Sequence, residues 1–411
     1  MNKLPNGWQI KTLGDIFLIE RGSSPRPIKS FLTNDNNGIN WIKIGDAKNN
    51  SKYIYQSAEK IRPEGKKYSR FVEIGDLILS NSMSFGRPYI MKTIGCIHDG
   101  WVVLRKILKN IIYEEYAYYI LSSNQVHSEF SKLAAGSVVK NLSIDRIKQV
   151  YIPIPPLDEQ KRIASALSKI DAYLENTIKL IEEKERFKRG IAKKLLTCKE
   201  GENIPEARFK GFEDEWMEVA ISKIGTIITG NTPSTKNESF WNGNNVWVTP
   251  TDVKQKYISN SERKLTDDGL KKSRKLPANT LLITCIASIG KNAILKCEGA
   301  CNQQINAIIP NKNYNVDFLY YLFENEKSYL KFKAPQSVIK IMSKSEFSKL
   351  VFKFPLLEEQ EKIGEYLSLL DKEIDNLKKQ KELIKEMKIG AMQKLLSGEV
   401  RLSKNAFNEN I

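Results

Sequence analysis

The stretch PPLDEQKRIASALSKIDAYLENTIKLIEEKERFKRGIAKKLL, Pro155–Leu196, returns as PLLEEQEKIGEYLSLLDKEIDNLKKQKELIKEMKIGAMQKLL, Pro355–Leu396. Residues 135–197 and 335–397 align without a gap. Ser137-Val138-Val139-Lys140 becomes Ser337-Val338-Ile339-Lys340, and Glu159-Gln160 becomes Glu359-Gln360. In each copy proline precedes a long proline-free run, as suits the first turn of a helix. Asp158-Glu159 and Glu358-Glu359 sit where a helix dipole favours carboxylates, and Lys193-Lys194 and Lys394 where it favours cations. Gly201 and Gly398 read as the helix exits. Apolar residues alternate by four and three: Ile163, Leu167, Ile170, Leu174, Thr177 and Ile181 in one copy, Ile363, Leu367, Leu370, Ile374, Leu377 and Ile384 in the other. This is a heptad seam with polar interruptions at Lys184, Lys188, Lys381 and Lys388. A helix of about 40 residues is on the order of 60 Å long and needs a partner along its seam. The other copy is the nearest candidate, which predicts an antiparallel intramolecular coiled coil. The alternative is that each helix packs on its own domain.

The repeat continues upstream with small gaps. Trp8, Gly22 and Pro25 align with Trp216, Gly230 and Pro233; Trp41 and Asp46 with Trp247 and Asp252; Leu77, Ser80, Ser84, Gly86 and Arg87 with Leu281, Thr284, Ser288, Gly290 and Lys291. The chain therefore divides into a first mixed domain (1–155), a long helix (156–200), a linker with the second mixed domain (201–355), a second long helix (356–398) and a tail (399–411). Short β-rich runs such as 40–44, 76–80 and 101–104 are bounded by Gly, Asn and Asp. A helix is expected over 114–134, with its counterpart over 317–333. The predicted class is α+β: two mixed α/β domains separated by two long antiparallel helices, with an internal pseudo-two-fold repeat. Two half-sites on DNA one turn apart are separated by roughly 34 Å, so such a molecule has the symmetry to place one domain on each.

The net charge is +17 over 411 residues, and residues 1–205 and the remainder are each basic. A phosphate-binding surface requires this, and a lysine-rich solvated surface also produces it. No apolar run reaches about 18 residues, and the first residues lack the apolar core of a signal peptide, so a cytoplasmic protein is expected. Cys96, Cys198, Cys285, Cys297 and Cys301 form no CxxC pair. Three of them could ligate zinc, but the fourth ligand is missing near Cys285, Cys297 and Cys301, the only histidines being His98 and His127. No metal site is expected. Catalytic signatures are also missing. Ile154-Pro155-Pro156-Leu157 is not the Asn/Asp-Pro-Pro-aromatic motif of an adenine methyltransferase, and Ile289-Gly290-Lys291-Asn292 lacks the rest of a phosphate loop. Glu159-Gln160-Lys161 falls in a helix's first turn and reads as capping. A non-enzyme is expected.

Base reading needs bidentate donors and amides on loops. Candidates in the first domain are Ser24, Arg26, Lys43, Asp46, Ser82, Ser84, Arg87 and His98. In the second they are Asn231, Thr232, Thr251, Asp252, Ser288, Lys291, Asn302, Gln303 and Gln304. Lys140 and Lys340 suit phosphate. Each can equally stabilise a loop; Asp46 and Asp252 in particular can cap turns. On the helices, Ile178, Phe187, Leu383 and Met387 lie away from the seam. They suit either a partner's helices, as in a four-helix bundle, or burial against the domains.

The chain resembles the specificity subunits of Type I restriction–modification systems over nearly its whole length. The resemblance rests on the two Pro-to-Ile runs at 155–163 and 355–363, on Pro205-Glu206-Ala207-Arg208-Phe209-Lys210-Gly211-Phe212 before Trp216, on Gly22-Ser23-Ser24-Pro25 and Gly230-Asn231-Thr232-Pro233, and on Gly136-Ser137 with Asn141-Leu142. The second copy departs from it with Pro335-Gln336-Ser337 and Ile341. The resemblance implies two target-recognition domains on a bipartite DNA site, with the helices setting the gap. It implies two adenine methyltransferase (modification) subunits docked on the helices and domains, and ATP-dependent restriction subunits that can join them. S-adenosylmethionine, ATP and Mg are expected on those partners and no cofactor on this chain. The same type of subunit serving a bifunctional restriction–methyltransferase polypeptide is the alternative. The domains differ in most positions, which predicts an asymmetric target.

Overall fold

A computed structural model describes residues 4–48, 51–81, 86–108, 110–135, 143–334 and 341–402. The chain forms two compact units, residues 1–177 with 380–411, and residues 178–379. Each unit takes one mixed domain, the start of one long helix and the end of the other.

In unit 1 a five-stranded sheet has the order Phe17–Arg21, Trp101–Lys106, Leu77–Ser80, Pro88–Met91, Tyr53–Ile54. The first four strands pair antiparallel and the edge strand parallel. A second five-stranded sheet contains Ile39–Ile42, Gly95–Ile97 and Arg70–Val72. Gln9–Thr12 pairs with Tyr151–Ile154 in a separate ribbon beside the long helix's first turn. Unit 2 repeats the plan with Gly225–Thr229, Ile305–Pro310, Thr280–Thr284, Asn292–Leu295 and Tyr257–Ile258. Its second sheet has only three strands, and its ribbon is Met217–Ala220 with Val351–Phe354.

The strands at 77–80, 101–104 and 280–284 are buried on both faces, which explains their unbroken apolar runs. The helix expected over 114–134 is two helices, Glu114–Leu121 and Asn124–Ala135. Ser122 and Ser123 break it: the Ser122 hydroxyl donates to the Tyr118 carbonyl, and the Ser123 hydroxyl accepts from the Val126 N–H. Its counterpart breaks likewise into Val316–Asn325 and Lys327–Lys333.

The long helices are Leu157–Leu196 and Leu357–Ser397. Within unit 1, Asp171 pairs with Lys388 at 2.6 Å. Within unit 2, Lys184 pairs with Glu373 and Glu185 with Lys378, each at 2.7 Å, and Lys188 pairs with Asp371. Within unit 2, Lys184 meets Glu373, Lys188 meets Asp371, and Leu195 shares a core with Ile363 and Leu367, so the pairing is antiparallel. Both packings weighed from the sequence occur. Ile163, Ala164 and Leu167 join the core of their own domain in unit 1, while Leu395 and Leu396 enter that core from the other helix. Leu195 and Leu196 do the same beside Ile363 and Leu367 in unit 2. Each buried leucine contributes about 1.5–3 kcal/mol to the unit it enters. Gly398 directly follows its helix with φ +76°, whereas Gly201 lies in a turn beyond the end of its own. No helix among the described residues is long and apolar enough to cross a membrane.

Candidate nucleic-acid interface

Antiparallel order in the main sheet of unit 1 brings the end of Phe17–Arg21, the start of Trp101–Lys106, the end of Leu77–Ser80 and the start of Pro88–Met91 to one edge. The loops that leave there are stitched together. Gly22 N–H donates to the Trp101 carbonyl at 2.8 Å, Ser23 N–H to the Ile97 carbonyl at 3.2 Å, and Asn81 N–H to the Gly100 carbonyl at 2.8 Å. The Ser23 hydroxyl donates to the Tyr68 carbonyl at 3.1 Å, adding the loop before Arg70–Val72.

Unit 2 uses the same bonds at equivalent positions. Gly230 N–H donates to the Ile305 carbonyl at 3.0 Å, Asn231 N–H to Cys301 at 2.9 Å, and Cys285 N–H to Gln304 at 2.8 Å. The Asn231 amide donates to the Lys272 carbonyl at 3.0 Å. Both first loops need glycine for the same reason. A Cβ on Gly22 would lie 2.0 Å from the His98 carbonyl oxygen, and one on Gly230 would lie 2.2 Å from that of Asn302.

The side chains carried by this common frame differ. In unit 1 the Ser24 hydroxyl donates to Asp99 at 2.7 Å, and Arg26 lies 4.0 Å from the other Asp99 oxygen with 83% of its side chain exposed. The Ser24 hydrogen bond holds the Asp99 carboxyl below the usual carboxylate range. His98 Nδ1 accepts from the Gly100 N–H at 2.6 Å, and the ring tilts against Trp41. In unit 2 the Thr232 hydroxyl donates to the Gln303 amide oxygen at 2.5 Å. Asn302 donates to Gln304 at 2.9 Å and accepts from its N–H at 3.1 Å. The Asn231 amide oxygen accepts from the Arg274 N–H at 2.7 Å. One face thus presents a carboxylate-held arginine and a histidine, the other a set of amides.

The remaining candidates lie behind or beside these tips. Asp46 accepts the N–H of Lys43 at 2.7 Å and of Ala58 at 2.9 Å; Asp252 accepts those of Thr249 at 2.8 Å and Glu262 at 2.9 Å. Both fix their turns. Lys43 is paired to Glu59 at 2.5 Å, and Thr251 shares a hydrogen bond with Thr249 at 2.8 Å. In the next loop the Arg87 N–H donates to Ser80 Oγ at 3.2 Å and the Lys291 N–H to Thr284 Oγ1 at 3.1 Å, while the Ser288 carbonyl accepts the Thr284 hydroxyl. Ser82, Ser84, Lys140 and Lys340, with the element at 136–142, lie outside the described residues.

Asp99 was missed from the sequence, as was a basic loop: Lys66, Lys67 and Arg70 in unit 1, Lys271, Lys272 and Arg274 in unit 2. The repeat carried the signal, since Lys67-Tyr68-Ser69-Arg70 aligns with Lys271-Lys272-Ser273-Arg274.

The Glu-Gln pair at each helix start does more than cap. Trp8 Nε1 donates to Glu159 at 3.1 Å, and Arg401 grips both Glu159 oxygens at 3.0 and 2.7 Å. Burial pushes the Glu159 carboxyl up, but Arg401 and Trp8 outweigh it and hold it below the usual range. In unit 2 Arg208 grips Glu359 at 2.8 and 2.7 Å, and Trp216 donates at 3.3 Å. Gln160 accepts the Tyr113 N–H at 2.8 Å and donates to Pro155 and Ile111 carbonyls; Gln360 does the same with Asn315, Pro355 and Asn313. These clamps fix each domain on its helix.

Further along, Lys52 reaches Ser168 at 2.8 Å and Glu115 at 3.5 Å, and Tyr119 donates to Asp171 at 2.6 Å. Unit 2 repeats this junction with Lys256, Ser368, Asp317, Tyr321 and Asp371. Burial lowers both lysines, and their carboxylate partners oppose it. On the helices, Phe187, Leu383 and Met387 are exposed and Ile178 is half-buried. Leu180, Leu369 and Ile389 are also exposed there and were not predicted.

A family model described as "Type I restriction modification DNA specificity domain" matches residues 5–183 and 213–386. The MjaIX specificity subunit of Methanocaldococcus jannaschii is 36% identical over 180 residues, 42% of each chain. The putative MjaX specificity subunit of the same organism is 26% identical over 98% of this chain and 96% of its own. The EcoR124I/EcoR124II specificity subunit of Escherichia coli is 31% identical over 62% and 63%. Among solved structures, one from work on complex assembly and conformational transition of the type I R-M system matches with TM-score 0.65 at 17% identity, over 97% of this chain and 100% of that one. The HsdS subunit of Thermoanaerobacter tengcongensis matches with TM-score 0.55 at 18% identity, over 97% and 98%.

Proposed function

This chain belongs to the Type I restriction–modification specificity-subunit family, and from that premise we propose that its two domains each read one half of an asymmetric, bipartite DNA site. The observation that carries this is one loop frame, built twice with the same backbone bonds and tipped with different side chains. A shared frame docks on a shared geometry, the duplex. Different tips read different bases. An exposed arginine suits bidentate contact with guanine, and an oriented glutamine amide suits adenine. The hydrogen bond to the Thr232 hydroxyl holds the Gln303 amide in place.

The chain supplies the address and its partners the chemistry. Two modification subunits dock on exposed helix faces that include Phe187 and Met387. They hold S-adenosylmethionine and methylate adenine, and restriction subunits using ATP and Mg join that core. The test is to map methylated adenines in a genome with and without this gene. The expected result is a gene-dependent motif of two unlike blocks separated by unspecified bases. A continuous palindromic motif, or methylation that persists without the gene, would overturn the reading.

A further inference from the structure

The internal repeat acts as an alignment of two readers that face different sequences. Whatever differs between them is available to read bases. Whatever basic chemistry persists at the DNA edge is available to hold what all duplexes share, the phosphate backbone. The tips differ at every position of the third loop: His98, Asp99 and Gly100 against Asn302, Gln303 and Gln304. The segment beside them keeps Lys67 and Arg70 at the positions of Lys271 and Arg274, and each unit adds one exposed lysine of its own, Lys66 in unit 1 and Lys272, aligned with Tyr68, in unit 2.

The arginines anchor this loop to the frame. Arg70 Nε donates to the Arg21 carbonyl at 3.4 Å and its guanidinium pairs with Glu20 at 2.7 Å. Arg274 Nη1 donates to the equivalent carbonyl, that of Thr229, at 2.5 Å. All four lysines are exposed, and Lys271 lies 3.0 Å from Asp268 in a pair whose side chains are 76% and 70% exposed, open to displacement by a phosphate. Lys66 Nζ lies 3.8 Å from the Phe71 ring centre and Lys67 Nζ 4.8 Å from that of Tyr68, contacts that leave ammonium groups able to meet an anion. An open groove of about 820 Å³ is lined by Lys66, Lys67, Arg70 and Arg105 together with Glu64 and Glu73.

We infer that Lys66-Lys67 and Lys271-Lys272 form a duplicated, sequence-blind phosphate grip beside the base-reading tips. The inference rests on the DNA-reading assignment above. It divides labour within that face: the tips select, the basic loop holds.

The experiment uses the full chain, a duplex carrying the mapped motif and an unrelated duplex of equal length, with binding measured across a salt series. Wild type must bind duplex DNA and prefer the motif; if it does not, the DNA-reading assignment itself fails. Given wild-type preference, Lys66→Ala/Lys67→Ala and Lys271→Ala/Lys272→Ala are each expected to flatten the log K against log[salt] slope by about 0.9 per lysine removed. Both duplexes weaken by the same factor, so the preference ratio stays at the wild-type value. Lys→Arg replacements restore the slope. Gln303→Ala, by contrast, lowers the preference ratio at one half-site. An unchanged slope in the lysine variants, or a fall in their preference ratio, would overturn the grip. Thermal unfolding of the variants at the wild-type temperature confirms that the exposed substitutions leave the fold intact.

Discussion

The two helix-start clamps have the same parts but different connections to the chain. In unit 2 Arg208 and Trp216 lie in the continuous segment that leads from the first long helix into the second domain, and both reach Glu359. In unit 1 the arginine comes from beyond the last helix and the tryptophan from near the first residues, and Glu159 joins them. Arg401 also donates to the Asn6 carbonyl at 3.2 Å, so side-chain contacts do there what the backbone does in unit 2. Burial differs too. The side chain of Arg208 is 13% exposed and that of Arg401 is 44% exposed, around carboxylates that are each 2% exposed. One constellation has been kept where the backbone enforces it and where only its own hydrogen bonds do. The clamp itself must therefore hold the domain to the helix, and it is not a by-product of chain continuity.

Removing each carboxylate tests this most severely. Glu359→Ala strands a mostly buried guanidinium and the indole N–H of a buried tryptophan. Breaking such a pair costs about 3–5 kcal/mol, and protection from hydrogen exchange should fall in residues 208–224. Glu159→Ala should cost less, because Arg401 can turn to water, and its loss of protection should centre on residues 5–16. Equal losses in the two units would break the comparison and show that neither burial of the arginine nor its connection along the chain sets the clamp's strength.

The helices, the duplication and the antiparallel seam were legible because periodicity and repetition are properties of one sequence read along itself. Pro155, Leu167 and Ile363 declare their roles by spacing alone. The clamp was not legible. Glu159 looks like any first-turn carboxylate, and nothing in the spacing of 159 and 401 says that they meet; only folding the tail back onto the helix start brings them together. The loop frame was half legible. Gly22 and Gly230 were recognisable as paired turn glycines, but the carbonyls that require them belong to strands far along the chain. Asp99 was overlooked because its role comes from Ser24, 75 positions away. The basic loop was readable in the repeat, where Ser69-Arg70 and Ser273-Arg274 coincide, and escaped notice because lysine is common throughout this chain.

Acid should probe unit 1 more gently. Glu159 and Glu115 both hold their protons less tightly than usual in the folded chain. For each, burial pushes the other way and is outweighed, by Arg401 and Trp8 at Glu159 and by Tyr53, Lys52 and Ser168 at Glu115. A depressed folded value means that the stabilisation is fully present above the ordinary value of 4.5 and disappears as pH falls through the lower folded one. Unit 1 should therefore show protection that is flat near neutrality and declines below about pH 4.5. Glu159→Gln should remove part of that decline. A decline that Glu159→Gln leaves unchanged would place the acid sensitivity elsewhere in the unit.

The smallest effect on folding is expected at Phe187 and Met387, which stand at equivalent positions of the two helices, one in each unit. These residues are 51% and 49% exposed, so neither contributes much to its own core. Replacing either by serine should change stability by no more than about 0.5 kcal/mol, as exposed substitutions usually do. If each marks a docking face for a modification subunit, the effect appears only in assembly. Native mass spectrometry of the wild-type complex should then show two modification subunits per chain. Phe187→Ser or Met387→Ser should each favour the species with one, and the double variant should favour the bare chain. The aromatic face should be the more sensitive, since large rigid rings concentrate binding energy at interfaces where flexible methionine repacks. Unchanged stoichiometry in the double variant would move the docking faces to other exposed helix residues, such as Leu180, Leu369, Leu383 and Ile389. It would also show that the duplication of exposed apolar residues at 187 and 387 reflects shared ancestry of the helices and no shared contact.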